Sequence, residues 1–356
     1  MNYGTLVQLA TALSFGESPT IASAAVQLSA ANTADRRAFF DLAEMHHVVL
    51  RAFHPLKEEA RRSENLDLET WCNNIIEAER ARIENALTHL EDICNVLEEA
   101  GCPITVMKSL DHWPDIGNDL DLYTPASLER VQAVLQRSFN AWRKGRTWGD
   151  RLAAKCNYGI PGLRESVEVH HKCLGQTGEH LPVASRFYTR RVRESFGTHL
   201  FAVPAPEERI IAATLQRMYR HFYIRICDIL NTAELVDSRQ VDFSELRKAA
   251  DLGGIWLGVT SYLRIVSEYH QAYRGTALDL PQDLLSDARL GMADVFMRGP
   301  WIRVPVKRAG VFYAHQMKNM LSHADFHGAF RLSLLPPLAS VARLAYKVTG
   351  DHSGIW

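Results

Sequence analysis

The chain has only six cysteines in 356 residues, and no two of them form a CxxC pair. Cys72, Cys94, Cys102, Cys156, Cys173 and Cys227 are scattered through apolar segments. That argues against a disulfide framework or a thiolate zinc site and leaves reduced core thiols as the expectation. Neither sign of charge is in excess: Lys and Arg number 40, Asp and Glu 41, and the formal net charge is -1. A chain so balanced has no global field for nucleic acid or for an anionic membrane, so neither is an expected partner, although a local basic site stays open. No apolar run approaches the ~18 residues of a membrane span. The N-terminal MNYGTLVQLATALSFGESP has no basic n-region, so it does not read as a signal peptide, and a cytoplasmic protein is expected. Internal repeats and low-complexity tracts are also lacking.

What remains is an ordinary globular composition, 47% hydrophobic and 23% charged. The length is enough for two or three packed subdomains. Residues 1–100 read as helices. In the clearest of them, Ile76, Ile83, Leu87, Leu90, Cys94 and Leu97 make one helical stripe, which Gly101 and Pro103 end. The pattern then changes. ITVM (104–107) is a short β-prone run, and DLDLY (119–123) alternates with period two. TPASLERVQAVLQRSF reads as a helix with Thr124 as N-cap and Pro125 in the first turn. RLAAKCNY and SVEVHH flank GIPG and read as a β-hairpin. From Pro206 onward, PEERIIAATLQRMYRHFYIRICDILNTAELVD reads as one long amphipathic helix with Ile211, Leu215, Met218, Phe222, Ile226 and Ile229 on its apolar face. The expected fold is therefore α+β: an N-terminal helical region (1–100), a small α/β core (101–203) and a C-terminal helical region (204–356).

Side chains alternate across a strand, so Asp119 and Asp121 point the same way, roughly 7 Å apart at the backbone, while Leu120 and Leu122 point into a core. Two bare carboxylates at that spacing repel, and a hard cation relieves the repulsion; a solvated strand is the alternative. In VEVH, Glu168 and His170 share one face and Val167 and Val169 take the other. A third carboxylate on a neighbouring strand would complete a two-cation site of the kind used for in-line phosphoryl or nucleotidyl transfer. His170 is a candidate to ligate a metal or hold the acceptor, or else a histidine hydrogen-bonded beside the charged cluster. Upstream, VMKS runs into Lys108 and Ser109, a point charge and a hydroxyl that can meet a phosphate.

Strand, Ser109, nine residues, Asp119-x-Asp121 and then a distant Glu168 on an apolar strand: this resembles the nucleotidyltransferase fold of the DNA polymerase β type, whose signature is Gly-Ser or Gly-Gly, then hDhDh, then a distant hDh or hEh. A narrower resemblance, over most of the chain, is to the bacterial group of uncharacterised nucleotidyltransferases. It rests on AEMHHVV (43–49), on the Lys108 strand end, on the DLDL and VEVH strands, and on the later basic RMYRHFYIRICDI. Two departures bear on the phosphate loop rather than on the carboxylates. Ser109 stands where that group has glycine, and the segment to Asp119 is shorter. The resemblance implies a small mixed sheet with flanking helices and an Mg²⁺- or Mn²⁺-dependent transfer of a nucleoside monophosphate from an NTP to an acceptor, releasing pyrophosphate. Asp119 and Asp121 would bind the metals, and Glu168 would bind the acceptor-side metal and help deprotonate the nucleophile. Lys108 and Ser109 would meet the NTP phosphates.

Four further residues, Arg217, His221, Arg225 and Asp228, are spaced four, four and three, one polar stripe if the helix is continuous. Such a stripe grips triphosphate or an acidic acceptor, with Asp228 orienting an arginine, or is simply a solvated face. WRKGRTWGDR (142–151) reads as a connection whose Trp and Arg could stack on a base. RGPWIRVPVKR (298–308) reads as a surface loop, and His46-His47 as part of a structural helix. Three functions compete. The first is a nucleotidyltransferase acting on a small molecule. The second is a nucleotide binder of the same fold that is non-catalytic or modifies a protein. The third is a DxD glycosyltransferase, which would need a longer α/β domain before the motif than the helical residues found there. Acceptor, NTP and oligomeric state are not legible in the sequence.

Overall fold

A computed structural model gives the fold for residues 1–16 and 18–349. Five helices come first: α1 (Tyr3–Phe15), α2 (Ser18–Ser29), α3 (Thr33–Met45), α4 (Val49–Arg62) and the long α5 (Leu66–Glu99). The stripe read from the sequence lies on the buried face of α5, with Cys94 only half-buried, and Gly101 follows it with φ +69°, a conformation glycine takes without strain. Next come β1 (Thr105–Met107), β2 (Asp119–Thr124), α6 (Leu128–Phe139), β3 (Trp142–Arg143), α7 (Trp148–Leu152), β4 (Lys155–Gly159) and β5 (Ser166–His171). The five strands form one mixed sheet in the order β1-β2-β5-β4-β3, in which only β2 and β5 run parallel. Then α8 (Leu181–Thr189) leads to the hairpin β6 (Arg191–Phe196) and β7 (His199–Pro204).

The rest is α9 (Pro206–Thr214), a π-helical segment (Leu215–His221), β8 (Tyr223–Ile224), α10 (Ile226–Asp237), α11 (Phe243–Gly253), α12 (Trp256–Arg274), α13 (Gln282–Asp287), β9 (Phe296–Arg298), β10 (Trp301–Arg303), α14 (Val306–Ser322), α15 (Phe326–Ser333) and α16 (Leu335–Thr349). The fold is α+β, a small mixed sheet with flanking helices. Among the described residues no helix is long and apolar enough to cross a membrane.

Four local readings need correction. The helix expected to start at Thr124 starts later. Thr124 pairs with His171 as the last residue of β2, and its Oγ1 accepts the Ala126 amide at 3.1 Å in a turn, so Ser127 caps α6 instead. The strand expected from Arg151 begins at Lys155, because a Thr147–Asp150 capping box starts α7 just before it. RGPWIRVPVKR is not a plain loop: β9 and β10 form a hairpin that pairs with β8, and Trp301 stacks on Tyr223 with centroids 4.4 Å apart.

The fourth correction is the largest. The single helix expected from Pro206 is broken between Leu215 and Ile224, so the Arg217–Asp228 stripe does not lie along one helix. The π-helical turn ends at Phe222, which takes a left-handed conformation, and α10 begins afresh after Arg225. There the Arg225 amide donates to Asp228 Oδ2 at 2.6 Å.

Candidate functional site

The site begins with strand register. Asp121 lies opposite Glu168 across the parallel β2–β5 pair, and Asn157 of β4 lies opposite Glu168 on the other side. One rung along, His170 stands between Tyr123 and Lys155. Period-two alternation puts these side chains on one face, while Leu120, Leu122, Val167 and Val169 fill the core on the other. Ligand atoms of Asp121, Glu168 and His170 all lie within 4.8 Å of one another. Asp119 opens to solvent at the pocket edge of the same face. Desolvation of the carboxyl against the site, with repulsion from Asp121 and Glu168, pushes it up to about 6.

The loop after β1 reinforces this cluster. Met107 pairs with Asp121, so Lys108 emerges beside it. Lys108 has φ +59° and ψ -54°, a strained γ-turn conformation for a residue with a side chain. Its ammonium group is ion-paired with Asp121 and lies 3.9 Å from Glu168 Oε1. Ser109 Oγ donates to the Asp119 carbonyl at 2.9 Å and accepts the Asp121 amide at 2.7 Å, which fixes the strand that carries both aspartates.

Glu168 is the most heavily compensated carboxylate. His170 Nε2 is 2.8 Å from Oε1 and Lys155 Nζ is 2.7 Å from Oε2. Burial alone would raise its pKa, but the hydrogen bond from His170 and the charges of Lys108 and Lys155 hold it well below the usual carboxylate range. His170 is itself buried against Glu168.

A cavity of about 290 Å³ opens over the carboxylates. Arg217, Arg220, His221 and Arg225 also line it, with His47 and His112. The break in the expected long helix makes this wall. Arg217 Nε lies 2.7 Å from Asp228 Oδ2, both side chains nearly fully buried, and Asp228 stands behind the wall holding Arg217 and the start of α10. The Arg217, Arg225 and Arg303 guanidinium groups lie 5.3–5.9 Å from the Tyr223 ring centroid. Burial and the nearby arginines push His221 down to about 2, so it is neutral, and burial with the Arg225 charge also lowers His47. A basic and aromatic wall facing a carboxylate wall has the polarity for a phosphate chain with its counter-ion.

Sequence reading missed several of these residues. His47 belongs to the wall: it sits just past α3 with φ +51°, accepts from Arg225 Nη1 and stacks on His112 at 5.0 Å. Its neighbour His46 accepts the Ile226 amide at 3.0 Å and packs on Trp301. The signal was the AEMHHVV pattern, but nothing local tells a pocket histidine from a helical one. Lys155 was missed as well, although its register opposite His170 follows once the hairpin is paired. Tyr223 and Arg220 carried no signal of their own.

The donor set suits a hard divalent cation, because Asp119 and Asp121 offer carboxylate oxygens on one face and Asp119 is repelled by Asp121 and Glu168. No curated protein matches the chain in sequence. A solved structure described as an antigenic nucleotidyltransferase-like protein from Paracoccidioides brasiliensis is similar with a TM-score of 0.33 and 14% identity, over 47% of this chain and 85% of that chain. The sequence model of a family described as uncharacterised nucleotidyltransferases matches residues 32–270, so the chain belongs to that family.

Proposed function

We propose that the protein is a metal-dependent nucleotidyltransferase that moves a nucleoside monophosphate from an NTP to an acceptor, a small molecule being favoured, and releases pyrophosphate. The observation that carries this reading is the register of Asp121 and Glu168 on adjoining parallel strands, with Asp119 on the same face, beneath a cavity whose far wall is basic. Asp119 and Asp121 are the residues to hold Mg²⁺ or Mn²⁺. When bound, that ion would neutralise phosphate oxygens and the charge growing on the leaving group. Arg217, Arg220 and Arg225 would hold the triphosphate, with His47 and His221 as neutral hydrogen-bonding partners. In the transfer, the acceptor oxygen bonds to the α-phosphorus and the bond from the α-phosphorus to the bridging oxygen breaks. Pyrophosphate leaves with that electron pair, and the acceptor's proton passes toward Glu168. His170 orients Glu168, and Asp228 orients Arg217. Positioning and electrostatic stabilisation supply most of the acceleration.

One observation favours a second reading, a nucleotide binder of this fold that is non-catalytic or acts on proteins. Ser109 Oγ is engaged by the strand backbone and Lys108 by Asp121, so neither is free for a triphosphate in the conformation seen. One experiment separates the two. The protein is incubated with Mg²⁺, each NTP in turn and a broad acceptor panel, and pyrophosphate and labelled product or labelled protein are measured. Release of pyrophosphate that Asp119→Asn with Asp121→Asn abolishes is the expected outcome. Full activity in that double variant would remove the assigned site, and nucleotide binding without turnover would favour the second reading.

A further inference from the structure

The two-cation arrangement expected of three such carboxylates meets an obstacle at Glu168. Lys155 Nζ sits 2.7 Å from Glu168 Oε2 and 3.4 Å from Asp150 Oδ1, and the lysine is buried. Both partners are fixed. Glu168 is in the middle of β5, and Asp150 is held in the capping box that starts α7, where its Oδ2 accepts the Thr147 amide at 2.9 Å. Lys155 is itself paired in β4, opposite His170. The other lysine differs: Lys108 follows a strand end, on a strained turn that lines the cavity, and pairs with Asp121.

We propose that Lys155 is a resident cation of this centre, held between Glu168 and Asp150, and that it limits the site to one divalent ion, carried by Asp119 and Asp121. The inference rests on the nucleotidyltransferase reading and deepens it. A second ion beside Glu168 would face the Lys155 ammonium at contact distance in a site of low effective dielectric, where like charges repel strongly. Without Lys155 a second ion would find oxygen and nitrogen donors beside Glu168 Oε2. Asp121, Glu168 and His170 have ligand atoms within 4.8 Å of one another, and removing the ammonium frees Glu168 Oε2. Lys155 is thus a positioning residue: it occupies Glu168 Oε2 and keeps a second ion off that oxygen.

The test counts metal rather than activity. Full-length protein is titrated with Mn²⁺ alone, and free Mn²⁺ is read from its electron paramagnetic resonance signal. Wild type should bind one equivalent, Lys155→Met two, and Lys155→Arg one, because arginine restores the charge. Two equivalents in the wild type, or one equivalent at unchanged affinity in Lys155→Met, would overturn the proposal. Circular dichroism establishes that Lys155→Met is folded. If it is not, Lys155→Gln, which removes the charge but keeps a polar side chain, takes its place and should bind two. Wild type that binds two ions and still releases pyrophosphate sinks only the resident cation, whereas wild type that binds no Mn²⁺ removes the metal-dependent reading with it.

Discussion

Among single residues, Asp119 carries the clearest consequence for pH. Its carboxyl stands at about 6 instead of 3.8, raised by desolvation first and then by the charges of Asp121 and Glu168. The folded chain therefore holds that proton more tightly than the unfolded chain does. The sign follows: the contribution of Asp119 to stability is present below its unfolded pKa and is lost as pH rises through about 6. A divalent cation competes with the same proton. Melting temperatures with and without Mn²⁺ should therefore differ little at pH about 5 and clearly at pH about 7.5, where only the carboxylate is left to bind the ion. Asp119→Asn should remove the metal-induced rise at the higher pH. An equal rise at both pH values would show that the ion binds elsewhere. Residue chemistry of this kind was partly legible in the sequence. DLDLY announced two carboxylates on one face because a strand leaves no other choice. Ser109 was read as a phosphate ligand, whereas its hydroxyl bridges the backbone of the two aspartates, a partner 10 to 12 residues away that no local pattern reveals.

Elements of secondary structure were legible where periodicity and breakers agreed and illegible where they did not. The stripe on α5 ended at a glycine, and β4 and β5 flanked a Gly-Pro turn, so both were readable. The segment from Pro206 to Asp237 kept a helical apolar period through its break. Ile211 before the break, Met218 within the π-helical turn, and Ile226 and Ile229 after β8 are all buried, so the period continues although the helix does not. What holds the break is a tertiary pair, Arg217 with Asp228, whose side chains are 3% and 5% exposed. That pair gives the break a measurable energy. Removing one charge leaves the other buried and unpaired, which costs ~3–5 kcal/mol. Asp228→Asn should lower stability by about that much in urea unfolding, while its amide oxygen can still cap α10. Arg217→Met with Asp228→Leu should recover part of the loss, because a well-packed apolar pair can replace a buried ion pair. A neutral Asp228→Asn would mean that the pair does not set the break.

On the scale of the molecule, the carboxylates come from the sheet and the basic wall from the chain after Pro206, with His47 brought in from between α3 and α4. No stretch of sequence could display such a cavity, because Arg217 follows Asp121 by 96 residues and Glu168 by 49 along the chain. The connections between them are specific. Asp115, in the loop before β2, accepts the amides of Leu50 and Arg51 at 2.7 and 3.2 Å and so anchors the start of α4. Arg51 reaches on to Asn231 at 2.8 Å and Glu234 at 3.0 Å on α10. Arg209 of α9 pairs with Asp111, beside Ser109, at 2.6 Å. Beneath these contacts a single cluster of buried apolar residues runs from Leu6 to Phe312 without dividing at the boundaries the sequence suggested. A continuous core with polar ties of this kind unfolds as one unit, since exposing one region strips apolar cover from the next. Calorimetry should therefore show one transition whose calorimetric and van't Hoff enthalpies agree, and a bound nucleotide with Mn²⁺ should move that whole transition upward rather than split it. Two separable transitions, only one of them shifted by nucleotide, would mean that the basic wall and the carboxylates belong to bodies that fold apart. The cavity between those walls would then have to be assembled by the ligand.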